Sequence, residues 1–583
     1  MLSAHSATSS RHWPGFLVAA VFFAANAPTL PWLDFSNGSE NLNVATALEI
    51  RRTGNWLVPT LQGEERINKP PLTAWITASL ISRSTFDSLS SRDPAVRAAA
   101  YRAIAWQIRW PALLCSCLAV VAVYQLARII GGGRLAIVST LVFATTFAFT
   151  RFGRSATTDV QLTLWVLVAN VFLASALIQG NRWTGFVGAG MAIALAFMSK
   201  GPVALAQTVA PATALVAFHR RVRGTVTGER PSPGPWLIGL VLALLMASPW
   251  FLHVMVHYDV WGRWHRDLIT GPGTLPDSRW YAYHEYISFL PMLIPWTAYF
   301  VAGLIVAIVL TWTAIRAAAK LEARNPRPDL CPIAYVLFLT AVPILIMTWF
   351  PERKERYLLP MIGPAAILIA YAILTRDIPD RFCTLLGGIQ WCLAAGLGVL
   401  FPLVGVTRLL PVMTRADGST WFTWALAIPV AGFSLLVLLV GLRLYRRHPM
   451  SLVVTTVLLM LVMQTMSTHA YRHSDVAQSR PLANAIWARF PEALMYSYRP
   501  GQPGRRAPEE LSIYLNRAVR PINDLAAVRE ADVTQVVMVY QRAGQPMPVV
   551  PGTWVDFGTL ARDRDVWHAF AVPPTPSGNQ AKP

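Results

Sequence analysis

Thirteen apolar stretches dominate this 583-residue chain, and each approaches the roughly 20 residues that a helix needs to cross a bilayer. They centre on 14–33, 106–128, 134–150, 160–179, 184–199, 202–218 and 235–256, then on 288–312, 331–350, 357–375, 384–406, 421–442 and 450–467. Lipid gives backbone N–H and C=O groups no partner, so such a chain must form helices, which satisfy those groups internally. The expected class is an all-α polytopic membrane protein with about 13 transmembrane helices. Composition agrees: 54% of residues are hydrophobic and 14% charged, against about 25% charged in soluble domains. Arg11 precedes the first stretch, and Ala24, Ala25 and Ala27 look like a cleavage pattern. The run is long for a signal core, however, and Pro28 follows directly. It is read as an uncleaved first span.

Charge sets the expected orientation. The chain carries 50 basic and 30 acidic residues, a formal charge of +20. No basic stretch sits on a soluble domain with interleaved aromatics, so nucleic acid is not an expected partner. The basic residues lie mostly in short loops between spans, which points to topology and anionic membrane lipids. One alternating set of loops holds Arg128 and Arg134, then Arg220, Arg221, Arg223 and Arg230, and continues with Arg316, Lys320, Arg324 and Arg327. Arg376, Arg381, Arg443, Arg446 and Arg447 complete it. These loops and Arg11 are assigned to the cytoplasm, which leaves the N-terminus inside and the C-terminus outside. The five cysteines, Cys115, Cys117, Cys331, Cys383 and Cys392, all fall in or beside apolar segments. A disulfide framework or zinc knuckle is therefore not expected.

Two domains are expected: residues 1–468, a membrane domain that includes an outer loop at 34–105, and residues 469–583, a small soluble α/β domain. The tail has helical patterns near 481–490 and 508–517 and a strand-like run over 533–540, and its last residues from Pro573 read as disordered.

The polar residues that remain gather on the non-cytoplasmic face. Ser39, Glu40 and Glu49 lie in the first outer loop, which closes on Asn68-Lys69-Pro70-Pro71. Proline suits the first helical turn, so Lys69 stands at the positive end of a helix dipole, a placement that a bound anion would favour. Ser199-Lys200-Gly201-Pro202 repeats the arrangement at the start of the sixth span. Either lysine alone also fits a snorkelling interface residue. Asp159 opens the fourth span after Arg151 and Arg154; it suits a helix start, and a carboxylate near membrane depth is costly enough to suggest function. Trp264, His265, Arg266, Arg279, Trp280, Tyr281, Tyr283 and His284 crowd one later outer loop. Aromatic faces beside arginines suit an interfacial belt, sugar stacking or phosphate clamping. Glu352-Arg353-Lys354-Glu355-Arg356-Tyr357 precedes the tenth span, where its mixed charges can also pair with one another. Basic residues on the outer face call for a compensating anion, and a polyprenyl phosphate headgroup would provide it.

At these residues the chain resembles the membrane glycosyltransferases of the GT-C class. The nearest likeness is to the aminoarabinose lipid A transferase family and the related protein O-mannosyltransferases. It runs over Ser39–Trp75, Arg154–Asp159, Ser199–Pro202 and Pro249–Trp296, with a weaker match at Lys354–Pro360, and "EIRRTGNWLVPTLQGEERINKPPL" is its most specific part. The resemblance implies a GT-C-like fold in a bacterial inner membrane. It also implies transfer of a sugar from a polyprenyl-phosphate donor, at the periplasmic face, to a lipid A-like lipid, a glycan or a protein. The family's Asp-Glu pair is Ser39-Glu40 here, and its Glu-Lys-Pro is Asn68-Lys69-Pro70. Glu40 and Asp159 are then the expected catalytic residues, Glu40 as general base or as a stabiliser of charge at the sugar ring, and Asp159 as a group that binds the sugar or acceptor and helps orient Glu40. Lys69, Lys200, Arg279 and Arg356 are expected to hold the donor phosphate, and Ser39, Arg154, Trp280 and Tyr283 the sugar or acceptor. No cofactor is assigned, and a divalent metal is left open. A transporter or flippase of a lipid-linked sugar is the competing class. It would spread ionisable groups through the membrane midplane and pair broken helices in repeats.

Overall fold

Helices form where the apolar runs lie. The computed structural model describes residues 12–572 apart from 33, 36–37, 224–231, 266–288, 320–329, 349–353, 376, 397–419, 446–449, 475–478, 502–505, 529–533, 543 and 563–564. Each of the thirteen expected stretches carries helix within the described residues. Among the described residues seven helices are long and apolar enough to cross a membrane by length and composition, and shorter apolar helices run over Pro332–Met347, Pro429–Tyr445 and Ser451–Gln464. The second and third stretches join into one element, Pro94–Ala144, interrupted where Gly131 and Gly132 leave helical geometry. Gly132 has φ +79°, a conformation open to glycine at little steric cost. The element also starts earlier than its apolar run, inside the expected loop 34–105, which carries further helices at Gly38–Thr53, Leu72–Leu80 and Arg83–Ser88.

By contact the chain divides into two units. The first comprises Met1–Pro28, Asn68–Pro70 and Ala112–Ala470, and the second Thr29–Ile67, Pro71–Pro111 and Tyr471–Pro583. The first unit is a helical bundle in which Thr158–Leu177 packs along Arg182–Lys200, and that helix along Gly234–His257. Val203–Arg223 lies against Leu330–Met347, and Thr297–Ala319 against Ile362–Leu374. Apolar side chains seal these seams, as where Leu162, Val166, Ala196 and Ala204 cluster with Trp165 and Phe197. Two backbones approach so closely at Gly190 and Gly239 that a Cβ on either would run into a carbonyl of the facing helix. Small residues at such crossings are what helix association in lipid favours.

The second unit joins the outer-loop segment to the tail. The tail holds a five-stranded sheet made of β3 (Leu494–Tyr498), β4 (Val519–Ile522), β5 (Gln535–Arg542), β6 (Val555–Arg562) and β7 (Asp565–Val572), while β1 (Thr60–Leu61) and β2 (Glu64–Glu65) form a small hairpin in the loop. The sheet order is β4-β3-β5-β7-β6. β3 runs parallel to both β4 and β5, and β7 antiparallel to β5 and β6. The helix Glu509–Leu515 lies between β3 and β4 in sequence, the crossover that a parallel pair requires. The expected tail helices correspond to Ser479–Arg489 and Glu509–Leu515 and the expected strand to β5, while the other four tail strands are additions.

Loop and tail are knit by buried polar contacts. The Phe35 N–H donates to the Tyr514 hydroxyl at 3.0 Å, and the Tyr101 hydroxyl bonds the Ile513 and Tyr514 carbonyls at 3.0 and 2.7 Å. Burial, with the nearby Asp34 carboxylate, raises the Tyr514 phenol well above its ordinary value and keeps it protonated. Arg480 pairs with Asp34 at 3.1 Å and Arg506 with Glu64 at 2.6 Å. Within the loop, buried Glu49 accepts from the Thr60 hydroxyl at 2.6 Å and from the N–H groups of Gln62 and Gly63 at 2.5 and 3.1 Å. Glu49 thereby fixes the β1–β2 turn.

Candidate active site

The first unit gathers charge at three chain segments. Asp159 sits in the first turn of Thr158–Leu177, where the helix dipole favours a carboxylate, and is 3% exposed. Lys200 is the last residue of Arg182–Lys200; Gly201, at φ +77°, ends that helix and lets the chain turn into Val203–Arg223. The sequence pattern had set Lys200 before a helix start. The structure corrects this in part: it stands equally at a helix C-terminus, where the dipole favours a cation without any bound anion. Arg356 and Tyr357 come from the 3-10 helix Glu355–Met361.

These segments converge on one carboxylate. Asp159 Oδ1 pairs with the Lys200 ammonium, and its Oδ2 lies 3.3 Å from Arg356 Nε. Lys200 Nζ also rests 3.5 Å from the centroid of the Tyr357 ring, with the Arg356 guanidinium 5.7 Å from the same centroid. Side-chain exposures of 4% for Asp159, 8% for Lys200 and 21% for Arg356 keep most water out. Beside them Arg151 bonds Glu355 at 3.2 Å. Within the charged run before Tyr357, Glu355 and Arg356 thus pair with residues of other segments. Among the described residues two cations face one carboxylate, an arrangement that suits an anionic ligand group.

A second buried ion pair lies in the other unit. Glu40 is in the first turn of Gly38–Thr53 and is 3% exposed. Its two oxygens accept from Arg109 Nε at 2.9 Å and from a terminal guanidinium nitrogen at 2.7 Å. Arg109 also donates to the carbonyls of Leu30 at 2.9 Å and Asp34 at 3.2 Å, and stands 4.9 Å from the Phe35 ring. Glu40 is therefore a helical, paired carboxylate.

The family profile described as dolichyl-phosphate-mannose-protein mannosyltransferase matches residues 101–253. The chain is 24% identical over 390 residues to the undecaprenyl phosphate-alpha-4-amino-4-deoxy-L-arabinose arabinosyl transferase 2 of Proteus mirabilis, a match covering 64% of this chain and 62% of the relative. The corresponding transferase of Yersinia pestis is 22% identical, over 66% of this chain and 64% of its own. The chain thus spans under two thirds of the length of these relatives. The crystal structure of ArnT from Cupriavidus metallidurans bound to undecaprenyl phosphate superposes with a TM-score of 0.65 at 18% identity, covering 96% of this chain and 98% of that one. The chain has the ArnT-like GT-C fold. The apo structure of the same ArnT superposes equally well, with a TM-score of 0.64 at 19% identity over 95% of this chain and 97% of that one.

Of the residues expected to form a site, the structure brings Asp159, Lys200 and Arg356 together in the ArnT-like bundle. Arg154 is half-buried in the turn just before Asp159, and Lys69 is half-buried in the bend ahead of Leu72–Leu80. Ser39 is half-buried next to Glu40 on the same helix. Arg279, Trp280 and Tyr283 lie outside the described residues. Arg109 pairs with Glu40, and Lys200 and Arg356 with Asp159. Sequence reasoning missed Arg109, although an arginine inside an apolar run was itself a signal. It also overlooked Tyr357, quoted only as part of a charged run. Among the described residues no group of three His, Cys, Asp or Glu side chains stands close enough to hold a metal ion.

Proposed function

We propose that this chain transfers a sugar from a polyprenyl-phosphate donor to an acceptor at the periplasmic face of a bacterial inner membrane. The observation that carries the reading is the buried cluster in which two cations, Lys200 and Arg356, both contact Asp159. A phosphate that gains charge as its bond to the anomeric carbon breaks is stabilised by preorganised cations of this kind. The acceptor oxygen attacks the anomeric carbon from the opposite face, the C–O bond to phosphate breaks, and polyprenyl phosphate departs with inversion. Lys200, Arg356, Lys69 and Arg279 neutralise the leaving group, and Asp159 holds the first two in place. Glu40, bound on both oxygens by Arg109, steadies positive charge at the sugar ring when the acceptor is a phosphate that arrives already anionic, and takes the proton of a hydroxyl acceptor as the new C–O bond forms. Ser39, Arg154, Trp280 and Tyr283 line the sugar and acceptor sites.

The names of the aminoarabinose transferases and the undecaprenyl phosphate bound to ArnT support the donor class, and the acceptor is a lipid A-like lipid, a glycan or a protein. The N-terminus is cytoplasmic and the C-terminal α/β unit periplasmic in this reading. Membranes containing Lys200→Ala, Lys69→Ala or Glu40→Gln chains, supplied with a labelled polyprenyl-phosphate sugar, test it. Loss of one transition-state contact lowers the rate by about 10²–10³. Near-normal transfer by all three variants sinks the proposal.

A further inference from the structure

Two prolines in the first unit each remove the donor that a nearby carbonyl would ordinarily use. In Val203–Arg223, Pro211 has no N–H to give to the carbonyl of Gln207 four residues before it. In Glu355–Met361, the 3-10 partner of the Tyr357 carbonyl would be the N–H of residue 360, and residue 360 is proline. Each freed carbonyl is met by a side-chain amide from another helix. Asn170 Nδ2 donates to the Gln207 carbonyl at 3.2 Å, and Gln207 Nε2 donates to the Tyr357 carbonyl at 3.2 Å. The Tyr335 hydroxyl completes the chain by donating to Asn170 Oδ1 at 3.4 Å. Tyr335, Asn170 and Gln207 are all exposed by 1% or less. Amides so deep among apolar helices are costly to bury. Gln207 Nε2 also lies 3.7 Å from Met347 Sδ, and among the described residues Gln207 Oε1 has no hydrogen-bond donor, so its Nε2 carries the amide's contacts.

We infer that Gln207, itself held by Asn170, is a positioning residue that sets the Arg356–Tyr357 segment against Asp159 and Lys200. The inference rests on the proposed function, since it names what keeps the donor-phosphate cations in place. The carbonyl that Gln207 holds belongs to Tyr357, the residue whose ring underlies the Lys200 ammonium and whose neighbour Arg356 reaches Asp159. Losing that bond releases the segment without removing any charged group.

The test uses the purified full-length chain and the near-isosteric Gln207→Met, which keeps volume and deletes the amide. Donor KM is expected to rise roughly threefold to tenfold, the factor set by one net hydrogen bond, with kcat changed less. Without donor, phenylglyoxal should modify Arg356 several times faster than in the unaltered chain, read by mass spectrometry. Adding Pro360→Ala, which returns a backbone N–H to the Tyr357 carbonyl, should bring both readouts back toward the original values; a packing role for Gln207 would not respond to it. Unchanged KM and modification rate in Gln207→Met, or no recovery in the double variant, overturns the inference. Should Gln207→Met fail to fold, recovery of folded protein by Pro360→Ala supports the inference and continued failure overturns it. If the unaltered chain accepts no polyprenyl-phosphate sugar, the proposed function falls, while the Arg356 modification rates still decide this point.

Discussion

The Lys200 ammonium lies over the Tyr357 ring, 3.5 Å from its centroid, while pairing with Asp159. The ring thus takes one face of the cation and the carboxylate another. A desolvated cation–π contact is worth about 0.5–2 kcal/mol. Tyr357→Phe keeps the ring and should leave donor affinity within about twofold, whereas Tyr357→Leu should weaken it roughly tenfold. Titration of both variants with polyprenyl phosphate in detergent checks this.

Asp159 holds two cations in a site that water hardly reaches. Removing one partner of a buried ion pair destabilises a protein by about 3–5 kcal/mol, because the remaining charge is left uncompensated. Asp159→Leu should lower the unfolding midpoint in detergent strongly, and Asp159→Leu with Lys200→Met should recover part of the loss. The double-mutant cycle measures that coupling. Additive losses would show that the pair contributes nothing.

Arg109 engages Glu40 through two nitrogens and two carbonyls besides. A lysine carries the charge without the fork, so Arg109→Lys should rescue little of the damage done by Arg109→Met. Hydrogen exchange over residues 30–40 reads the result: both variants should exchange faster there, and Glu40→Gln to a smaller degree.

Gly190 and Gly239 leave no room for a methyl group. Gly190→Ala should destabilise the first unit by about 1–3 kcal/mol through overpacking. Chemical unfolding in detergent measures it. Gly388, where a Cβ would meet open space, is the control, and Gly388→Ala should be silent.

The spans were legible because a 20-residue apolar run has one physical outcome in lipid. Asp159, Lys200 and Arg356 were each visible and assigned to one face, but the direct pairing of both cations with Asp159 was not. Helix periodicity says which residues share a face and nothing about which helix ends face one another. Pro202 advertised a helix start and hid that Gly201 ends the helix before it. In the tail, β5 stood out as a continuous buried run, whereas β3 and β4 are five and four residues long and offer too little pattern. Arg109 was masked by the apolar residues around it. The union of loop and tail rests on contacts hundreds of residues apart, which no local pattern encodes.

That union bears on how the protein is made. Phe35 and Tyr514, joined by a hydrogen bond, are 479 residues apart. At roughly 5–20 residues per second, a ribosome needs about half a minute to a minute and a half to travel between them. The first segment of the unit therefore emerges long before its partner exists, and the unit assembles only when synthesis is nearly over. A nascent chain stalled before residue 471 carries that segment without the tail that completes it.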